Sequence, residues 1–100
     1  MQELLFVYGT LKNPEIQQEI IGKNPIMELD ILENHTIVQY AFSDGIYPIA
    51  VEAMDKNIEG FILFVSLLDF IVLDEYEGSG YKRVKILLKS RREAWIYMKN

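Results

Sequence analysis

Residues 4–12 read Leu4-Leu5-Phe6-Val7-Tyr8-Gly9-Thr10-Leu11-Lys12: an apolar run that stops abruptly at a Tyr-Gly-Thr turn. The Val and aromatic content makes residues 2–7 a strand. Where it stops, consecutive backbone N–H groups at a Gly-containing turn can converge on a carboxylate or phosphate. A plain turn is the simpler reading of the same residues. Gly9, just past a strand, implies either a positive φ or a close backbone approach, and both suit a ligand cradle.

Working outward from this strand, Asn13-Pro14-Glu15 has the form of an N-cap with Pro at the first helical position, and Gly22 is placed to end the short helix that follows. Strands are expected at residues 26–32 and 35–41, then a turn at Ser43-Asp44-Gly45. Residues 47–53 and 58–65 are read as two strands joined at the polar Asp55-Lys56-Asn57, which suggests a hairpin. Ser66 begins a second helix, with Asp69 three residues on as a capping pair, and Gly78 ends it. Residues 81–89 and 94–99 complete the count as strands joined through Ser90-Arg91-Arg92. Strands, about six or seven of them, outnumber helices and mostly succeed one another directly. The expected class is therefore α+β: a curled mixed or antiparallel, β-barrel-like sheet with two short helices, rather than a doubly wound parallel sheet.

One hundred residues make a single domain spanning 1–100, with no repeat or linker to divide it. A chain of this size buries roughly 60 to 70 % of its unfolded surface, enough for one modest core. The longest apolar stretch, residues 61–73, is broken by Ser66 and Asp69 and falls short of a membrane span. Gln2 and Glu3 stand where a signal peptide would carry its basic region, so a cytoplasmic protein without membrane association is expected. A formal net charge of −5 opposes the phosphate neutralisation on which nucleic-acid binding depends, so no nucleic-acid partner is expected. The basic residues between Lys82 and Arg92 alternate with apolar ones as the wet side of strands would. With no cysteine, a thiol nucleophile and any Cys-ligated metal are excluded.

Chemistry has to come from other groups, and the second informative stretch is Leu73-Asp74-Glu75-Tyr76-Glu77-Gly78. Three carboxylates crowd a helix C-terminus, where the dipole favours cations. A solvated acidic helix end would explain them blandly. Helical phase separates them: at about 100° per residue, Glu77 falls within roughly 20° of Phe70 and about 40° of Leu73. Glu77 thus points where apolar side chains point, while Asp74 and Glu75 read as capping or surface residues. The helix over 67–76 is apolar almost all round, which predicts burial on more than one side. Desolvation, the negative end of the dipole and Asp74 one turn back would all raise the Glu77 pKa toward what a general acid/base needs.

The order Phe6-Val7-Tyr8-Gly9-Thr10-Leu11, Tyr47-Pro48, Glu59-Gly60, Leu73-Asp74-x-Tyr76-Glu77-Gly78, Tyr81-x-Arg83 and Ala94-Trp95-x-Tyr97 resembles the gamma-glutamyl cyclotransferase-like family over nearly the whole chain. This family includes gamma-glutamylamine cyclotransferases and avirulence-induced-gene-like proteins. The resemblance implies a small barrel-like fold, a substrate-binding loop at Tyr8, Gly9, Thr10 and Leu11, and a catalytic glutamate at Glu77. Tyr47 and Tyr81 would line the pocket.

The implied reaction, of acyltransferase or lyase type, turns an L-gamma-glutamyl amide into 5-oxoproline and a free amine, without metal or other cofactor. The expected partner is a small gamma-glutamyl compound, and the chain is either a monomer or a homodimer. The leaving amine is left open, because Lys12-Asn13-Pro14-Glu15 runs directly into a helix at the pocket rim where many relatives are looser. A non-catalytic binder using the same pocket is the alternative, and retention of Glu77 favours the enzyme. His35, the single histidine, reads as a surface or turn residue, and the Trp95/Tyr97 alternation as one face of a strand, with Tyr97 able to border the site.

Overall fold

The computed structural model describes residues 2–100, and in it β1 (Gln2–Val7) lies in the middle of a five-stranded sheet. A strand so placed is covered on both faces, which is what its apolar residues allow. Phe6 enters one core cluster with Leu32, Ile62 and Ile96, while Leu5 and Val7 enter a second with Leu63, Phe70 and Leu73 beneath the helices. The strand order is β2-β3-β1-β5-β4, with β2 Met27–Phe42, β3 Gly45–Ser66, β4 Tyr81–Leu87 and β5 Glu93–Lys99. β1 runs antiparallel to β3, Val7 facing Phe61, and parallel to β5 where Leu5 faces Trp95. The sheet is therefore mixed and curled, and the expected fold class holds.

The strand count does not hold: the described residues form five strands, not six or seven. The strands expected at 26–32 and 35–41 are one 16-residue strand that begins at Met27, and those at 47–53 and 58–65 are one of 22 residues. The hairpin expected at Asp55-Lys56-Asn57 is absent, since Asn57 pairs with Glu33 across the ladder. The polar residues are absorbed as a kink instead. Asn34 (φ 59°) and Asp55 (φ 64°) both take the left-handed conformation, the Asn34 side-chain carbonyl accepts the Asp55 N–H at 3.1 Å, and the register slips between Glu33 and His35. Asn and Asp tolerate that conformation better than other side chains.

Beyond the kink, β2 and β3 pair only with each other, as a ribbon ending in the turn at Ser43 and Asp44. The ribbon folds back over the sheet. Ile49 and Ala50 become buried, Phe42 packs on Tyr81 with ring centroids 5.3 Å apart, and the Tyr81 hydroxyl donates to the Pro48 carbonyl at 2.8 Å.

The opposite side is closed by the β4–β5 turn. Lys89 N–H donates to the Ile31 carbonyl at 2.9 Å, and buried Asp30 receives the Ser90 hydroxyl at 2.5 Å and Arg92 at 3.2 Å. Burial alone would raise the Asp30 pKa, but the bonds from Ser90, the Ile31 N–H and Arg92 hold it below the usual carboxylate range. Its stabilisation is therefore present above the unfolded pKa and lost as pH falls through the folded one. Asp30→Ala is expected to cost about 2 kcal/mol or more at pH 7, by stranding Ser90 and Arg92. In urea titrations the gap between parent and variant should narrow at acid pH; a constant gap would refute this account.

The first helix starts as expected; the second starts at Asp69, three residues after the expected Ser66. Asn13 caps α1 (Pro14–Ile21) by accepting the Glu15 N–H at 2.9 Å, and Gly22 ends it at φ 71°. For α2 (Asp69–Glu77), Asp69 accepts the Ser66 N–H at 2.8 Å and the Ser66 hydroxyl accepts the Asp69 N–H at 3.2 Å, although Ser66 itself closes β3. The expected all-round burial of α2 is wrong. Phe70 and Leu73 are buried, whereas Leu68 and Ile71 are 75 % and 67 % exposed. The helix lies against one face of the sheet, and among the described residues no layer covers its outer side.

Candidate active site

A cavity of about 620 Å³ opens where three segments meet: the end of β1 with the loop after it, the tip of the β2–β3 ribbon, and the C-terminal turn of α2. Tyr8, Gly9, Thr10, Leu11, Tyr47, Glu77 and Tyr81 all line it. Tyr97, read as able to border the site, lines it too, as do Pro48 and Tyr76, which enter only through the resemblance. Phe42 and Asp44 are not candidates from the sequence, because their place depends on the ribbon folding back, which no local pattern encodes.

The loop is built from β1 outward. After Val7 the chain makes a single 3-10 turn over Thr10–Lys12, with the Lys12 N–H donating to the Gly9 carbonyl at 3.1 Å and Asn13 N–H to Thr10 at 3.0 Å. Like the first N–H groups of any helix, those of Gly9, Thr10 and Leu11 then have no acceptor within the turn. Leu11 is buried and pins the turn to the helix layer, and Gln17, fully buried on α1, donates to the Leu11 carbonyl at 2.8 Å. Gly9 departs from expectation. Its φ is −117°, not positive, and a Cβ there would meet only the Pro48 Cγ at 3.6 Å, an ordinary contact. Protein atoms do not require glycine at this position.

Glu77 is the last residue of α2, and burial pushes its carboxyl pKa up to about 7. Of the causes expected, burial is the one that acts. Asp74 is engaged elsewhere: Arg83 grips it with two hydrogen bonds of 3.0 and 3.1 Å and the Tyr97 hydroxyl donates at 2.6 Å, holding its carboxyl below the usual range despite some burial. Three tyrosines surround the Glu77 carboxyl electrostatically. Burial raises the pKa of each of Tyr8, Tyr81 and Tyr97, and the nearby Glu77 charge raises it further. They stay neutral around the Glu77 carboxyl. The Tyr8 hydroxyl donates to the Tyr97 carbonyl at 2.9 Å, and Thr10 and Tyr76 share a hydroxyl–hydroxyl bond of 2.8 Å that ties the loop to the helix end. Tyr47 stands at the rim beside Phe42 and Asp44. His35 lies on the ribbon, its ring within 2.9 Å of the Glu33 carbonyl, and does not line the cavity.

One partly apolar cavity thus holds both a carboxyl with its pKa raised to about 7 and a turn whose first N–H groups have no acceptor within it. Residues 5–100 match the family model described as gamma-glutamyl cyclotransferase, AIG2-like, and the chain belongs to that family. Among solved structures, it resembles an Arabidopsis thaliana protein at 22 % identity and TM-score 0.81, covering 98 % of this chain and 68 % of that one. A structure titled gamma-glutamyl cyclotransferase matches at 16 % identity and TM-score 0.79, covering 100 % and 68 %. An uncharacterised Pyrococcus horikoshii protein matches at 20 % and 0.74, covering 97 % and 77 %. At these identities the likeness is one of fold. Comparison with curated proteins gave no match. Among the described residues no helix is long and apolar enough to cross a membrane.

Proposed function

We propose that this chain is a cyclotransferase that converts an L-gamma-glutamyl amide into 5-oxoproline and a free amine. The observation that carries the reading is the Glu77 carboxyl, raised to about 7 inside the same cavity as the Gly9–Leu11 turn. The substrate's own α-nitrogen attacks its own γ-carbonyl carbon, so the nucleophile is tethered and geometry supplies much of the acceleration. Atoms balance without a co-reactant. The α-ammonium carries three protons and the lactam nitrogen keeps one; the other two pass to the leaving nitrogen as its bond to the carbonyl carbon breaks. Glu77 as carboxylate accepts from the α-nitrogen and as acid returns the proton to the leaving amine. The N–H groups of Gly9, Thr10 and Leu11 receive the α-carboxylate, and one of them faces the oxyanion as it develops.

Release of 5-oxoproline from a panel of gamma-glutamyl amides, followed by mass spectrometry, tests the reading and names the leaving amine. If the carboxylate form enters the cycle, kcat/KM should rise tenfold per pH unit below about 7 and level off above it. No product from any panel member, with ligand-induced thermal shifts still present, would favour the binder. A profile flat from about pH 5.5 to 8 would remove Glu77 from the proton transfer.

A further inference from the structure

A carboxyl that moves protons has to be held in place, yet that of Glu77 takes part in no hydrogen bond among the described residues, and burial is what perturbs it. Its position is inherited from the backbone of the last turn of α2. That turn ends at Gly78, φ 79°, whose N–H donates to the Asp74 carbonyl at 3.0 Å. The Asp74 side chain, in turn, is the point at which the helix end is fastened to the sheet. Arg83 reaches it from β4 and Tyr97 from β5, while the Arg83 guanidinium lies 4.0 Å from the Phe70 ring centroid and 4.6 Å from that of Trp95. Tyr97 also holds the other side of the cavity, because its carbonyl accepts the Tyr8 hydroxyl.

We propose that Asp74, Arg83 and Tyr97 form a positioning unit that sets where the Glu77 carboxyl sits relative to the Gly9–Leu11 turn. Asp74 and Arg83 do not line the cavity, and Tyr97, which does, commits its hydroxyl to Asp74. The unit also accounts for a carboxylate on the last turn of a helix, where the dipole disfavours it: the Arg83 cation answers the charge. As an ion pair it adds little to stability, since the Asp74 and Arg83 side chains are 48 % and 22 % exposed. What it adds is direction. A rigid two-pronged grip, backed by a hydroxyl on a buried ring, fixes the rotation of the helix end.

The catalytic consequence rests on the proposed function; the geometric one does not, and the test separates them. Tyr97→Phe deletes one hydroxyl and keeps the ring, and Asp74→Asn keeps an acceptor but loses the charge that holds Arg83. For each, kcat and KM are measured on an active gamma-glutamyl amide, and the Glu77 carboxyl is titrated by carbon NMR. Tyr8, Tyr81 and Tyr97, whose pKa values the Glu77 charge raises, do not ionise in the range scanned, and Asp44, Tyr47 and Tyr76 line the same cavity, so the Glu77 signal is assigned by its loss in Glu77→Gln. A drop in kcat of about tenfold or more with KM within about threefold is expected in both variants. The Glu77 midpoint should move down from about 7 as the loosened turn admits water. Parent values of kcat and of the midpoint in both variants would overturn the proposal. Should the parent turn over no panel member, the proposed function fails, and the titration alone decides: an unchanged midpoint in both variants overturns positioning, a lowered one upholds it. Should Asp74→Asn not fold, Tyr97→Phe carries the same decision.

Discussion

Glu77→Gln is expected to lower turnover by about 10² to 10⁴, the range that a positioned general acid/base supplies, while ligand binding survives. The amide has the size of the acid but can neither accept the α-nitrogen's proton nor return it to the leaving amine. Survival of binding is checked by ligand-induced thermal shift, loss of turnover by 5-oxoproline release. A variant with parent turnover would end the mechanism. Stability should move the other way. Burial lifts the Glu77 pKa to about 7 from 4.5, so the folded chain holds this proton more tightly than the unfolded chain. That advantage is complete below the unfolded value and is lost as pH rises through the folded one, so the ionised carboxyl weighs against folding at pH 8. At about 1.4 kcal/mol per pH unit, and allowing for partial exposure, Glu77→Gln should gain about 1 to 3 kcal/mol at pH 8 and close to nothing at pH 4. Higher stability with lower activity in a single substitution would mark a carboxyl kept for its chemistry.

The largest loss of stability is expected from Gly60→Ala. Gly60 lies in β3 beside the pairing of Val7 with Phe61, and a Cβ there would come within 2.5 Å of the Val7 carbonyl and 2.7 Å of the Phe6 ring. The first of these is backbone, in the central strand, and cannot swing aside. Overpacking of this kind costs about 1 to 3 kcal/mol where side chains can adjust, and we expect the upper end or beyond. Phe6 and Val7 also deliver the loop that begins at Tyr8, so activity should fall together with the urea midpoint. Gly9→Ala is the control for stability alone, because its Cβ would meet nothing closer than 3.6 Å. If Gly60→Ala unfolds at the parent midpoint, β1 and β3 are spaced more loosely than described.

The legible parts of this molecule were local or periodic. Helical phase alone turned Glu77 toward Phe70 and Leu73, and the caps at Asn13 and Ser66/Asp69 were readable because a cap is decided within a few residues. The misreadings share a different cause. Asp55-Lys56-Asn57 has the composition of a hairpin turn, yet in a two-stranded ribbon wet on its outer side, polar residues do not interrupt pairing, and two left-handed residues facing each other bend the ribbon instead. Leu67, Leu68, Ile71 and Val72 gave α2 the look of a buried helix, but what covers a helix is a property of its neighbours and not of its own residues. Asp74 does lie at the surface, as read, but its bonds to Arg83 and Tyr97 were not legible, because those partners come from two later strands whose adjacency is itself a result of folding.

The strand order has a consequence for the life of the chain before it is complete. β1 comes first in the sequence but third in the sheet, between a strand ending at Ser66 and one ending at Lys99. During synthesis these apolar residues are made before both neighbours, the nearer partner segment more than fifty residues later, so the strand is paired only long after it is made. Long-range pairing of this kind folds slowly and leaves a greasy strand open to the wrong partners meanwhile. The loop that follows β1 waits with it, and no nascent fragment lacking the final strand can carry a finished site.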